Sequence, residues 1–150
     1  MIKIVNSIKN EIKKLRDVIS FIYKHELASK HKLLGILNFL KWQFSQFPRT
    51  QLIKKEWING LNIAAKRGMT GITGSFYVGL HEFQDMSFIL HYLDEDYLFI
   101  DIGANVGCYS LLAASKGSIV YAFEPDNTTV SALNLNKRLN NFNNIFVFNK

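Results

Sequence analysis

The sequence predicts an α/β fold, a parallel sheet wound with helices, preceded by a helical region and a short β-hairpin. Three observations carry this reading. Leu98-Phe-Ile-Asp-Ile102, Ile119-Val-Tyr-Ala-Phe123 and Ile145-Phe-Val-Phe148 are short apolar runs rich in β-branched and aromatic residues. Between them lie two stretches of helical spacing, one opening at Cys108 and one beginning near Pro125 and Asp126 and running through Val130, Leu133, Leu135 and Leu139. The first run enters its helix through a turn containing Gly103 and Gly107. Strand-helix-strand-helix-strand is one half of a doubly wound sheet, and right-handed crossovers predict the spatial order third, second, first. The first strand then lies at an open edge.

In chain order, Ile4, Ile8, Ile12, Leu15, Ile19 and Ile22 recur at steps of four and three, an apolar stripe on one helix, with Lys3, Lys9, Lys13, Lys14 and Arg16 on its other faces. A second helical stretch, roughly 30–46, carries Leu33, Leu34, Leu37, Leu40, Trp42 and Phe44, continues to Phe47, and is stopped by Pro48. Residues 1–50 hold 10 Lys and Arg against 3 acids, a net of +7, whereas residues 51–150 hold 8 against 9, a net of −1. The chain therefore divides into a basic helical region, 1–50, and an α/β portion, 51–150. A basic amphipathic helix can lie on an anionic membrane surface. Lysine-rich outer faces are also the ordinary way to keep a helix soluble, and packing of both helices on the remainder of the chain or on a second copy is the preferred expectation. Nucleic-acid binding is not expected, because isoleucines dilute the lysines and no recognition motif occurs.

Leu52-Ile53 and Trp57-Ile58, then Asn59-Gly60, then Leu61-Asn62-Ile63 predict two short strands joined by a two-residue turn. Gly68, Gly71, Gly74 and Gly79 follow closely and predict a loop or irregular strands. Phe83, Met86, Ile89, Leu90 and Leu93 restore helical spacing, and Asp94-Glu95-Asp96 reads as a solvated turn.

The glycine turn is the candidate binding site. Without a Cβ, Gly103 and Gly107 can adopt conformations closed to other residues and let a ligand lie against the main chain. Asp101 ends the first strand, and Glu124, 23 residues on, ends the second, where an acid can accept from both hydroxyls of a ribose. A nicotinamide dinucleotide would place its pyrophosphate on the helix N-terminus and favours G-x-G-x-x-G, whereas here Asn105 stands at the middle position and Asp101 would repel phosphate. A carboxylate suits the ammonium of an amino-acid moiety. S-Adenosyl-L-methionine carries that moiety and a ribose but no phosphate, so the electrostatics favour it as cofactor.

The segments Gly79-Leu-His-Glu-Phe-Gln-Asp-Met86, Phe99-Ile-Asp-Ile-Gly-Ala-Asn-Val-Gly107, Tyr121-Ala-Phe-Glu-Pro-Asp126 and Asn134-Leu-Asn136 resemble the front half of the FkbM family of S-adenosylmethionine-dependent methyltransferases, over roughly residues 68–150. The resemblance implies an incomplete class I, Rossmann-like methyltransferase fold and methyl transfer to a hydroxyl on a saccharide or other small acceptor. It implies that Asp101, Gly103, Ala104, Asn105 and Gly107 line the cofactor's amino-acid side, that Glu124, with Pro125 after it, meets the ribose, and that Glu82 touches its polar end. A surface acid in a first helical turn is the plainer account of Glu82. Four further strands of the resembled fold have no counterpart here, so the chain reads as the amino-terminal piece of a methyltransferase. The competing reading is a non-catalytic remnant, or a module docked to a membrane or partner by its basic helices. No catalytic base is assigned.

Composition adds bounds. With 48% hydrophobic residues and 2 Pro, the chain is globular. The lone Cys108 excludes an internal disulfide and suits a reducing compartment, cytoplasmic by default; at a helix start its thiol pKa could fall, although a small buried filler is the expected role. No apolar run of about 18 residues predicts a membrane span, no signal-peptide pattern opens the chain, and the four histidines show no metal-ligand spacing.

Overall fold

The computed structural model describes residues 2–28, 31–45, 52–66 and 69–150. Lys30, Gln46, Phe47, Pro48, Gln51 and Gly68, which figure in the sequence reading, lie outside these residues.

The strands β3 (Leu98–Ile102), β4 (Ile119–Phe123) and β5 (Ile145–Phe148) form a parallel sheet in the order β3-β4-β5, with Leu98 level with Ile119 and Val120 level with Ile145. Helices α5 (Cys108–Ser115) and α6 (Asn127–Leu139) supply the crossovers, so the predicted order holds and β3 has one edge without a strand partner among the described residues. The period-two alternation sends Val120, Ala122 and Ile145 into a core with Leu111, Leu112 and Leu133, while Leu98, Ile100, Ile102, Ile119, Tyr121 and Phe146 remain exposed on the opposite face. Asp126 caps α6, its carboxylate accepting from the Thr129 hydroxyl and from the Thr129 amide, both at 2.7 Å, which holds its pKa below the ordinary value.

The helices α1 (Ile2–Lys24) and α2 (Lys32–Ser45) form as predicted; α2 packs on the chain through Phe39 and Trp42, but the side of α1 that faces inward is not the predicted stripe. Of the apolar stripe on α1, Ile22 is buried, whereas Ile8, Ile12, Leu15 and Ile19 face solvent. The other inward residues are Val18 and Phe21, on a neighbouring side of the helix, and His25 just past its end.

Strands β1 (Ile53–Glu56) and β2 (Asn62–Ala65) make the expected hairpin, with Asn59 and Gly60 at positive φ. Its connection is longer than two residues. The register pairs Glu56 with Asn62, which leaves Trp57 and Ile58 opposite Leu61 as a bulge. The free edge of β2 is paired by side chains: the Asn140 amide accepts from the Asn62 N–H and donates to its carbonyl, both at 2.7 Å. One turn earlier, Asn136 accepts from the Ala64 N–H at 2.7 Å and donates to the Ala64 carbonyl at 3.3 Å. Two asparagines four apart, one on α6 and one at its C-cap, thus imitate a neighbouring strand.

The glycine-rich segment is a correction. It forms helix α3 (Thr70–Val78) rather than a loop. Burial overrides the glycines: Ile72 and Phe76 are in the core, and Phe76 and Tyr77 make ring contacts with Trp42 and Phe39 of α2 at 4.4 and 5.3 Å. Helix α4 (Phe83–Tyr92) follows, burying Met86 and Ile89 as its spacing predicts.

Candidate functional site

At the carboxyl end of β3 the chain makes the turn that organises the site. The Gly103 and Ala104 amides both donate to the Phe123 carbonyl at 2.9 Å, tying the loop to the end of β4. Gly103 has φ 76°, and a Cβ there would meet nothing within 4 Å, so its backbone faces open space. Gly107 has φ 93° and serves packing instead, since a Cβ would lie 3.1 Å from Leu133 Cγ. Asn105 also takes positive φ, and its N–H donates to Glu124 Oε2 at 2.9 Å.

A cleft of about 180 Å³ gathers Glu82, Asp101, Gly103, Ala104 and Asn105, five of the sequence-predicted residues. The other three lie outside its wall. Gly107 is buried behind the loop. Glu124 is also buried, and its second oxygen accepts from the Asp126 amide at 3.0 Å. Pro125 is exposed, with its carbonyl accepting from Asn149 at 2.9 Å.

Asp101 points its carboxylate at the first turn of α5, where the Ser110 hydroxyl donates to Oδ2 at 2.5 Å. Burial raises its pKa above the ordinary carboxylate value, opposed by the hydroxyl and amide of Ser110, with a smaller push from Glu124. The position where an anion would sit on this helix is therefore already taken by an acid. Glu82 stands at the N-cap of α4 without capping it; Oε2 instead accepts from the Tyr109 hydroxyl at 2.6 Å and lies 3.5 Å from His81 Nε2. The Tyr109 pKa is driven up by burial and by Glu82. Burial, with Asp101 and Glu82 nearby, raises the Cys108 thiol to about 12, so Cys108 is a buried filler and not an activated thiol.

His81, Tyr109 and Ser110 are the site residues that sequence reasoning missed. His81 meets Ser75 Oγ through Nδ1 at 2.8 Å, and burial lowers its pKa against the opposing pull of Glu82. His81 and Glu82 also border a second cleft, of about 520 Å³, between the end of α1 and residues 81–85, walled by Asp17, Lys24, His25 and Phe83. His25 is buried there, and neither ring nitrogen has a hydrogen-bond partner among the described residues. Among the described residues, no group of three or more His, Cys, Asp or Glu could hold a metal.

The fold so defined is the Rossmann-like fold of class I methyltransferases. No family model and no curated protein matches the sequence. Among solved structures, the chain resembles a putative transferase from Pyrococcus horikoshii, at 23% identity and a TM-score of 0.50 over 65% of this chain and 36% of that one. It also resembles a SAM-dependent methyltransferase from Agrobacterium tumefaciens, at 15% identity and a TM-score of 0.51 over 66% of this chain and 32% of that one. The chain thus spans about a third of the length of each of these structures.

Proposed function

We propose that this chain forms the cofactor-binding part of an S-adenosylmethionine-dependent methyltransferase of the FkbM type, acting on a hydroxyl of a saccharide or other small acceptor in the cytoplasm. The observation that carries the reading is Asp101 seated on the first turn of α5. A half-buried carboxylate in that position repels a pyrophosphate and attracts an ammonium, which separates an amino-acid-bearing cofactor from a dinucleotide.

The residues present fit S-adenosylmethionine on its amino-acid side. Asp101 would hold the ammonium, and the open backbone at Gly103 would let the ligand approach the main chain. On the ribose side, each Glu124 oxygen accepts one backbone N–H and retains a lone pair for a hydroxyl. When bound, this cofactor supplies an electrophilic methyl group. The chain's own contribution is alignment: Glu124 fixes Asn105 in the loop, and Tyr109 fixes Glu82 at the mouth.

Calorimetric titration with S-adenosylhomocysteine, with NADH in parallel, tests the reading. Saturable binding of the homocysteine compound, lost in Asp101→Ala, is expected; binding of NADH in its place would overturn it.

A further inference from the structure

Helices α1 and α2 carry large apolar side chains that remain largely open to solvent; on α1, Ile8, Ile12 and Leu15 line, with Phe39 and Gln43 of α2, an open cleft of about 560 Å³. On α1 the exposed stripe of Val5, Ile8, Ile12, Leu15 and Ile19 lies roughly a third of a turn, at about 100° per residue, from the inward set Val18, Phe21, Ile22 and His25. Ile12 is 62% exposed. On α2, Gly35, Phe39 and Trp42 face inward. The opposite face carries Leu33, Leu37, Leu40 and Phe44 at steps of four, three and four, with Leu33 76% and Phe44 79% exposed.

Charge identifies what covers these stripes. The exposed face of the sheet is equally apolar, but β3, β4 and β5 contain no lysine or arginine. Cations border the helical stripes: Lys9 and Arg16 flank one side of the α1 stripe, Glu11, paired with Lys14 at 2.9 Å, stands on its other side, Lys13 and Lys24 stand further round, and Lys41 flanks the α2 stripe. Residues 1–50 carry a net +7, so a second copy docked on the same face would bring like charge against like. A surface with an apolar interior and an anionic rim satisfies both features at once.

We propose that α1 and α2 lie flat on an anionic phospholipid bilayer, with Ile8, Ile12, Leu15, Leu37 and Phe44 entering the headgroup and acyl boundary while the lysines reach the phosphates. No described helix is long and apolar enough to cross a membrane, so the attachment is peripheral. This inference does not depend on the methyl-transfer reading.

Co-sedimentation of the full chain with phosphatidylcholine vesicles carrying about a third phosphatidylserine, against pure phosphatidylcholine vesicles, tests it. Recovery with the anionic vesicles alone is expected, falling about tenfold in an Ile12→Ser, Phe44→Ser variant and in high salt. Both substitutions lie on exposed faces, and circular dichroism checks that the variant stays folded. Equal recovery on neutral vesicles, or none on either by folded chain, overturns the proposal. So does a concentration-dependent dimer that the same variant dissolves, which would make the stripes a self-association surface.

Discussion

Asp101 is held at a cost to stability. Its folded-state pKa lies above its unfolded value because of burial, so between the two values the folded chain binds the extra proton. Stability from this group is therefore greatest in acid and falls as pH rises through that window. Asp101→Asn keeps an acceptor for Ser110 and removes the desolvated charge; thermal melts should show a higher midpoint at neutral pH and a flatter pH dependence, while binding of S-adenosylhomocysteine is lost. The two loop glycines should separate in the opposite sense. Gly103→Ala adds about 1–2 kcal/mol of left-handed strain but no clash, so its larger effect should be on ligand affinity. Gly107→Ala adds the same strain and a contact with Leu133, and urea unfolding should place it as the more destabilised of the pair. At this scale, Asp101 and Glu124 were legible because an acid ending an apolar strand stands out of its pattern. His81, Tyr109 and Ser110 were not, because their partners Ser75, Glu82 and Asp101 are set by tertiary geometry and no short spacing encodes them.

Among the elements, strands and crossover helices were readable from period and turn residues, and the Asn59-Gly60 turn from its own chemistry. Helix α3 was not, since its glycines signal breakage locally and only the burial of Ile72 and Phe76 against α2 decides otherwise. Gly74 shows what one glycine is for: a Cβ would fall 2.7 Å from His81 Cβ. Gly74→Ala, which on helix propensity alone would stabilise by up to about 1 kcal/mol, should instead destabilise and displace the His81-Glu82 segment, visible as altered chemical shifts at the site. The asparagine ladder was equally unreadable, because polar residues on a helix look solvated in sequence. Asn136 makes a third bond, to the Val106 carbonyl at 2.9 Å, and is fully buried. Asn136→Leu should cost about 3 kcal/mol in urea unfolding by stranding backbone groups of Ala64 and Val106, and Asn140→Ala about 1 kcal/mol.

Across the whole molecule, the strand order followed from handedness alone, and the placement of the hairpin did not, since nothing in residues 53–65 names α6 as its partner. Among the described residues the sheet leaves β3 with an unpaired edge and an apolar face to solvent. Such an edge templates further pairing. Ile100→Lys, at an exposed position of that strand, should raise the concentration at which the chain stays monodisperse in light scattering while leaving its melting midpoint nearly unchanged.

The asparagine ladder also sets a schedule. The hydrogen bonds from Ala64 to Asn136 and from Asn62 to Asn140 span 72 and 78 residues, among the more distant pairings in the chain. During synthesis the hairpin leaves the ribosome with its outer edge bare and must wait for α6 before that edge is satisfied. Contacts that close such long loops form late in folding. Asn136→Leu should therefore accelerate unfolding and leave the refolding rate almost untouched in stopped-flow kinetics. The hairpin would then act as the clasp fastened after the sheet is built.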